Sequence, residues 1–151
     1  MENRIQAMAV LKKEFHIHKN DFFRAGEASI NIKNLLKALG IHPQIIRRVA
    51  ICGYEGEMNV VMHGGDGKII VEICPDSILL LITDNGAGIP DIPLAMTKGY
   101  STATEKYREM GFGAGMGLPN MKKNADSFTI DSVVGEGTNV RMGFSLTSKK
   151  E

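Results

Sequence analysis

Two apolar runs, KIIVEIC and SILLLIT, stand back to back with only Pro75 and Asp76 between them. Isoleucine and valine suit a pleated, half-buried surface. A two-residue Pro-Asp break leaves room for a tight turn. The runs are therefore read as two strands, Lys68–Cys74 and Ser77–Thr83, at the heart of a sheet. The remaining segments must supply neighbouring strands and a helical layer to cover it.

The flanks provide both. KKEFHIHKN alternates apolar and polar residues and reads as a first strand. From Ala25 to Leu39, Ala28, Ile30, Ile32, Leu35, Leu36 and Leu39 fit an amphipathic helix that Gly40 stops. Pro43 opens a second helix, as proline does at a first turn, running to His63 before Gly64 and Gly65. After the paired strands come DNGAGIP and an irregular stretch at 90–114, then a helix from about Gly117 to Ala125. SFTIDSVV and TNVRMGFSL follow as strands joined by GEG, a hairpin turn. The order is β-α-α-β-β-loop-α-β-β. Hairpins beside helices predict an α+β fold: a two-layer α/β sandwich with a mixed, mostly antiparallel sheet and helices on one face.

Composition narrows the function classes. At 151 residues the chain suits one domain, residues 1–151. Its net charge of +1 carries no nucleic-acid footprint and no attraction to a membrane surface. No run reaches the roughly 18 apolar residues of a spanning helix, and MENRIQAMAVLKKEF lacks a signal-peptide core. A cytoplasmic location is expected. The two cysteines, Cys52 and Cys74, sit in VAIC and VEIC and read as small buried hydrophobes. His16 and His18 alternate on the first strand, but no third ligand joins them at a recognisable metal spacing.

Three constellations point to a ligand. Glu55, Asn59 and His63 recur every four residues and share one face of the second helix. Ile45, Ile46, Val49, Ala50, Ile51, Val60 and Val61 form its expected core face. Gly53 and Gly56 lie mid-helix at a cost of roughly 1 kcal/mol each relative to alanine, so a close approach is expected there. An asparagine carbonyl can serve Mg²⁺, which prefers oxygen and usually also binds substrate phosphates. A glutamate one turn away can orient or deprotonate a nucleophile. In DNGAGIP, Asp84 is an acceptor that needs donors, and an exocyclic base amine would serve. Gly86 and Gly88 let the backbone approach a ring. In GFGAGMGLPNMKKNAD, glycines lead into a helix N-terminus and can present N–H groups to an anion. No strand precedes this run and no GK[ST] occurs, which argues against Rossmann and Walker loops. Structureless stretches as long as 90–114 are usually functional lids or disordered.

Taken in order, these motifs resemble the GHKL, or Bergerat-fold, ATP-binding domain. The resemblance rests on Glu55-x-x-x-Asn59, on D-x-G-x-G at Asp84, Gly86 and Gly88, on G-x-G-x-G-L from Gly113 to Leu118, and on Thr138 after GEG. It covers about residues 10–147. Within that superfamily, EGEMNVVMHGG, DNGAGIPDIPLAM, KGYSTA and GFGAGMGLPNMKKNADSF are most similar to bacterial anti-sigma-factor and switch serine kinases.

The resemblance implies ATP and Mg²⁺ as cofactors and an ATP lid at about 90–116. It implies that Glu55 is the catalytic base and Asn59 the Mg²⁺ ligand through the phosphates. Asp84 would accept from the adenine amine, with Gly86, Gly88 and Thr138 beside the base. The remaining nucleotide contacts it implies are His63, Lys98, Gly99, Tyr100, Ser101, Thr102, Gly111, Phe112, Gly113, Ala114, Gly115, Met116, Gly117 and Leu118. The implied partners are a small STAS-domain antagonist and a sigma factor or other signalling protein, with a homodimer as one assembly open to it. The implied activity is protein serine/threonine phosphorylation. The alternatives are a non-catalytic ATP-dependent binding switch and, less favoured, a histidine kinase catalytic domain. In one respect the chain departs from the pattern. Some members carry an arginine just before the final G-x-G of the lid; here Gly113 and Ala114 stand there, leaving Lys106, Arg108 or a partner to supply the cation.

Overall fold

A computed structural model describes residues 11–63, 65–97 and 117–147. Five strands form one sheet: β1 (Leu11–Ile17), β2 (Gly67–Ile73), β3 (Ser77–Asp84), β4 (Ser127–Val133) and β5 (Gly137–Ser145). Their order is β1-β2-β3-β5-β4. All four pairings are antiparallel, so the mixed component expected of the sheet is absent among the described strands. The reason lies in the connections. The two helices between β1 and β2 bring the chain back beside β1 in the opposite direction, and the other neighbouring strands are joined by hairpins or by the β3-to-β4 connection.

Register decides which side chains are buried. Val71 pairs with Leu80, Leu80 with Met142 and Met142 with Phe128. Ile69, Ile82 and Val140 make the next rung. The strand period of two puts these rows on one face, where Ile69, Val71, Leu80 and Met142 are completely buried. Each such side chain contributes about 1.5–3 kcal/mol through burial. The opposite face carries Lys12, Glu14, Asn139 and Arg141, all exposed, around half-buried Ile70, Leu79 and Leu81.

Helices α1 (Glu27–Ala38) and α2 (Pro43–His63) cover the buried face, and α4 (Gly117–Asn124) packs beside α2. A short α3 (Ile92–Ala95) is capped by Asp91, whose carboxylate accepts from the Leu94 N–H at 3.0 Å. Helix α2 has the boundaries expected of it, but its buried face is rotated. Cys52, Gly53, Gly56, Glu57 and Met58 are buried with Ile46, Val49, Val60 and Val61, while Ile45, Ala50 and Ile51 are only half-buried. The mid-helix glycines explain this. A β-carbon on Gly56 would meet the Cδ1 end of the Ile82 side chain of β3, so the bare backbone lets Ile82 pack against α2 without shifting.

Glu57 caps a helix from another helix. Gly26, at the start of α1, has φ of 95° and no side chain with which to cap. Glu57 accepts from the N–H groups of Gly26, Ala28 and Ser29 at 3.0–3.2 Å, and from the Ser29 hydroxyl at 2.6 Å. A buried carboxylate is thereby matched to the donors and positive dipole end of α1.

Candidate nucleotide site

Helices α2 and α4 meet along an antiparallel seam, and the seam carries the site. At its base Arg48 Nε donates to the Asn124 carbonyl at 2.9 Å and its guanidinium pairs with Asp126 at 3.0 Å. One turn on, the Cys52 thiol lies 3.6 Å from the Met121 carbonyl. Next, Asn120 Nδ2 donates to Glu55 Oε2 at 3.1 Å. At the top Gly117 approaches Asn59: a β-carbon there would stand 3.3 Å from Asn59 Oδ1 and 3.4 Å from Glu55 Oε1. Spacings of four, three and four residues along α2 keep this stripe on one face. The structure thus brings Glu55, Asn59 and Gly117 together and adds Asn120.

Both Glu55 and Asn59 are half-buried. Desolvation first, then the negative charge of Glu55 and Glu57, pushes the neighbouring Tyr54 phenol above its ordinary value. His63 continues the stripe at the exposed C-terminal end of α2. Desolvation holds its pKa below that of an ordinary histidine even so.

A second cluster forms where β3 and β5 end. Asp84 continues the buried row of Ile78, Leu80 and Ile82, so its side chain faces the helical layer rather than the open face. Its register partner is Thr138, at the head of the corresponding row of β5. Asp84 Oδ1 accepts from the Gly86 N–H at 2.8 Å, an Asx turn that fixes the carboxylate. Thr138 is buried, and its hydroxyl lies 2.8 Å from Ser132 Oγ.

The DNGAGIP loop is clamped to the β4–β5 hairpin. Ile89 N–H donates to Ser132 Oγ at 2.7 Å, and Gly135 N–H to the Ala87 carbonyl at 2.7 Å. At Gly88, φ is 82° and a β-carbon would lie 2.5 Å from the Val133 carbonyl oxygen. The loop is therefore a shaped wall, not a loose turn. Gly67 links the two clusters: a β-carbon there would stand 2.9 Å from Val60 Cγ1 of α2 and 3.1 Å from Asp84 Cβ.

The strand-end acceptor and its clamped glycine loop thus lie beside the helix that carries Glu55 and Asn59, joined through Gly67 and Val60. The family profile described as histidine kinase-, DNA gyrase B- and HSP90-like ATPase matches residues 32–148. The chain belongs to this ATPase family. It is 33% identical over 113 residues to the serine/threonine-protein kinase RsbT of Bacillus subtilis, covering 72% of this chain and 79% of that relative. It is 36% identical over 94 residues to an anti-sigma F factor of Clostridium botulinum, covering 58% and 62% respectively. A Bacillus velezensis anti-sigma F factor is 26% identical over 151 residues, covering 93% of this chain and 97% of the relative.

For this ATPase-family chain, Lys98, Gly99, Tyr100, Ser101, Thr102, Lys106, Arg108, Gly111, Phe112, Gly113, Ala114, Gly115 and Met116 lie outside the described residues. Leu118 is buried in the core, where it seats α4. Among the described residues no group of three His, Cys, Asp or Glu side chains could hold a metal, and His16 is exposed. No helix of the described residues is long and apolar enough to cross a membrane.

Asn120, Ser132 and Glu57 were not foreseen from the sequence. Asn120 carried a usable signal, since it lies three residues after Gly117 and so shares its face of α4.

Proposed function

We propose that the chain is an ATP-dependent protein serine/threonine kinase of the anti-sigma type. It transfers the γ-phosphoryl group to a serine of a small STAS-domain antagonist and so regulates a sigma factor or a comparable signalling protein. The observation that carries this reading is the meeting of Glu55 and Asn59 with Gly117, where α4 emerges from the glycine-rich segment. The names of the RsbT kinase and the anti-sigma F factors support it.

The residues divide the work. One oxygen of Asp84 is committed to Gly86; the other accepts from the adenine amine. Thr138, held by Ser132, supports that side of the base. The donor set fits Mg²⁺: a single neutral side-chain carbonyl, Asn59 Oδ1, suits an ion that takes most of its ligands from phosphates and water. Bound there, Mg²⁺ would neutralise phosphate charge. Glu55 orients the acceptor serine hydroxyl. As the serine oxygen bonds to the γ-phosphorus and the bond to the ADP oxygen breaks, Glu55 takes the proton. Phosphoryl transfer depends chiefly on such positioning and on charge stabilisation.

The test is incubation of the protein with γ-labelled ATP, Mg²⁺ and candidate STAS-domain proteins. Label should appear on serine with wild type and disappear with Glu55→Ala, which should still bind ATP. The glycine and alanine at 113 and 114 favour a second reading, a switch that binds its partner when ATP is bound. An ATP-dependent complex without label transfer would support that reading instead.

A further inference from the structure

We propose that Asn120 is a positioning residue for phosphoryl transfer, holding the Glu55 carboxylate through its carboxamide N–H. This rests on the reading of Glu55 as the base. Asn120 occupies the first turn of α4, three residues after Gly117, so both face α2. Its Nδ2 lies 3.1 Å from Glu55 Oε2. An ionised carboxylate can only accept, so the amide must turn its NH₂ end toward Glu55.

The bond divides the carboxylate. Oε2 is held by Asn120, while Oε1 lies on the Gly117 and Asn59 side, 3.4 Å from where a Gly117 β-carbon would be. Oε1 is thus the oxygen presented to the incoming hydroxyl. A glutamate on a helix surface has several rotamers, and fixing a long side chain costs conformational entropy. A second contact selects one of them.

The donor itself is well seated. The main-chain carbonyl of Asn120 accepts from Asn124 Nδ2 at 2.9 Å, and Arg48 Nε donates to the Asn124 main-chain carbonyl at 2.9 Å, which anchors the backbone that carries the donor. Because α4 begins where the glycine-rich segment ends, the orientation of the base depends on the docking of the helix that follows the lid.

Asn120→Ala and Asn120→Asp separate this role from a purely structural one. The aspartate has the shape of asparagine, cannot donate when ionised, and repels Glu55. In the first turn of a helix an acid also favours the helix. The measurements are release of labelled phosphate from γ-labelled ATP with Mg²⁺, ATP affinity, and melting temperature. For Asn120→Ala, kcat should fall roughly tenfold or more with KM for ATP unchanged. For Asn120→Asp, kcat should fall further while the melting temperature holds or rises. In a Glu55→Ala background, neither substitution should lower kcat again.

Wild-type turnover in both single variants, with Glu55→Ala inactive, overturns this role and leaves the base reading intact. Undiminished turnover in Glu55→Ala overturns the base reading and this role with it. Wild type that neither releases labelled phosphate nor labels any candidate STAS-domain protein overturns both. A loss of kcat that tracks a loss of melting temperature in both variants assigns Asn120 to packing and overturns the proposal.

Discussion

Gly117 rests against Asn59: a β-carbon there would stand 3.3 Å from Asn59 Oδ1. That separation is tighter than ordinary van der Waals contact. Alanine would press on Asn59 and Glu55 together, and valine would displace them. Gly117→Val should lower ATP turnover at least roughly tenfold, since misplacement of reacting groups by about 1 Å can cost a hundredfold. Turnover and circular dichroism, measured together, should show lost activity on a retained fold.

Glu57 predicts stability rather than activity. It is buried and accepts hydrogen bonds from three backbone N–H groups and one hydroxyl. Glu57→Ala removes the cap of α1 and strands several buried donors. The expected cost is about 3 kcal/mol, read as a lower urea midpoint. Glu57→Gln keeps the shape but turns an N–H toward N–H donors, and should cost about 1–3 kcal/mol.

Arg48 ties three elements together. It bonds Asp126 and the Asn124 carbonyl, and its guanidinium lies 5.7 Å from the Phe144 ring centre. Asp126 also accepts from the Ser145 N–H at 2.7 Å. Arg48→Ala should destabilise by about 1–3 kcal/mol. It should also weaken ATP binding indirectly by loosening α4, whereas Arg48→Lys should restore only part of both. Thermal melts and nucleotide titrations of the two variants check this.

His63 predicts a pH dependence. Desolvation lowers its folded pKa below the ordinary 6.5. As pH falls through 6.5 the unfolded chain takes up the proton first, so this group's contribution to stability is lost from there down to the folded pKa. Above 6.5 the contribution is fully present. Denaturant midpoints measured between pH 7.5 and 5.5 should fall more steeply for wild type than for His63→Gln.

Much of this was legible in the sequence because periodicity and turn chemistry are local. The α2 boundaries followed from Pro43 and the glycines after His63, and the β2–β3 hairpin from Pro75 and Asp76. The helical repeat placed Glu55 and Asn59 on one face. The rotation of α2 was not legible. It depends on Gly56 meeting Ile82 and on Glu57 finding the N-terminus of α1, contacts between residues far apart in the chain. For Asn120 the local spacing from Gly117 marked the face, but its partner Glu55, 65 positions away, was not legible. The mostly antiparallel character of the sheet was legible from its hairpins; that β1 and β2 also pair antiparallel follows from how the helical connection returns, which no short window contains.

Titration of ATP into wild type and Asp84→Asn, with Mg²⁺ present, tests the central claim most directly. Asparagine keeps the shape and the turn but offers an amide where the base amine needs an acceptor. The account predicts binding by wild type and a loss of at least roughly a hundredfold in affinity for Asp84→Asn, with the fold intact. Equal affinity in the two proteins would contradict it.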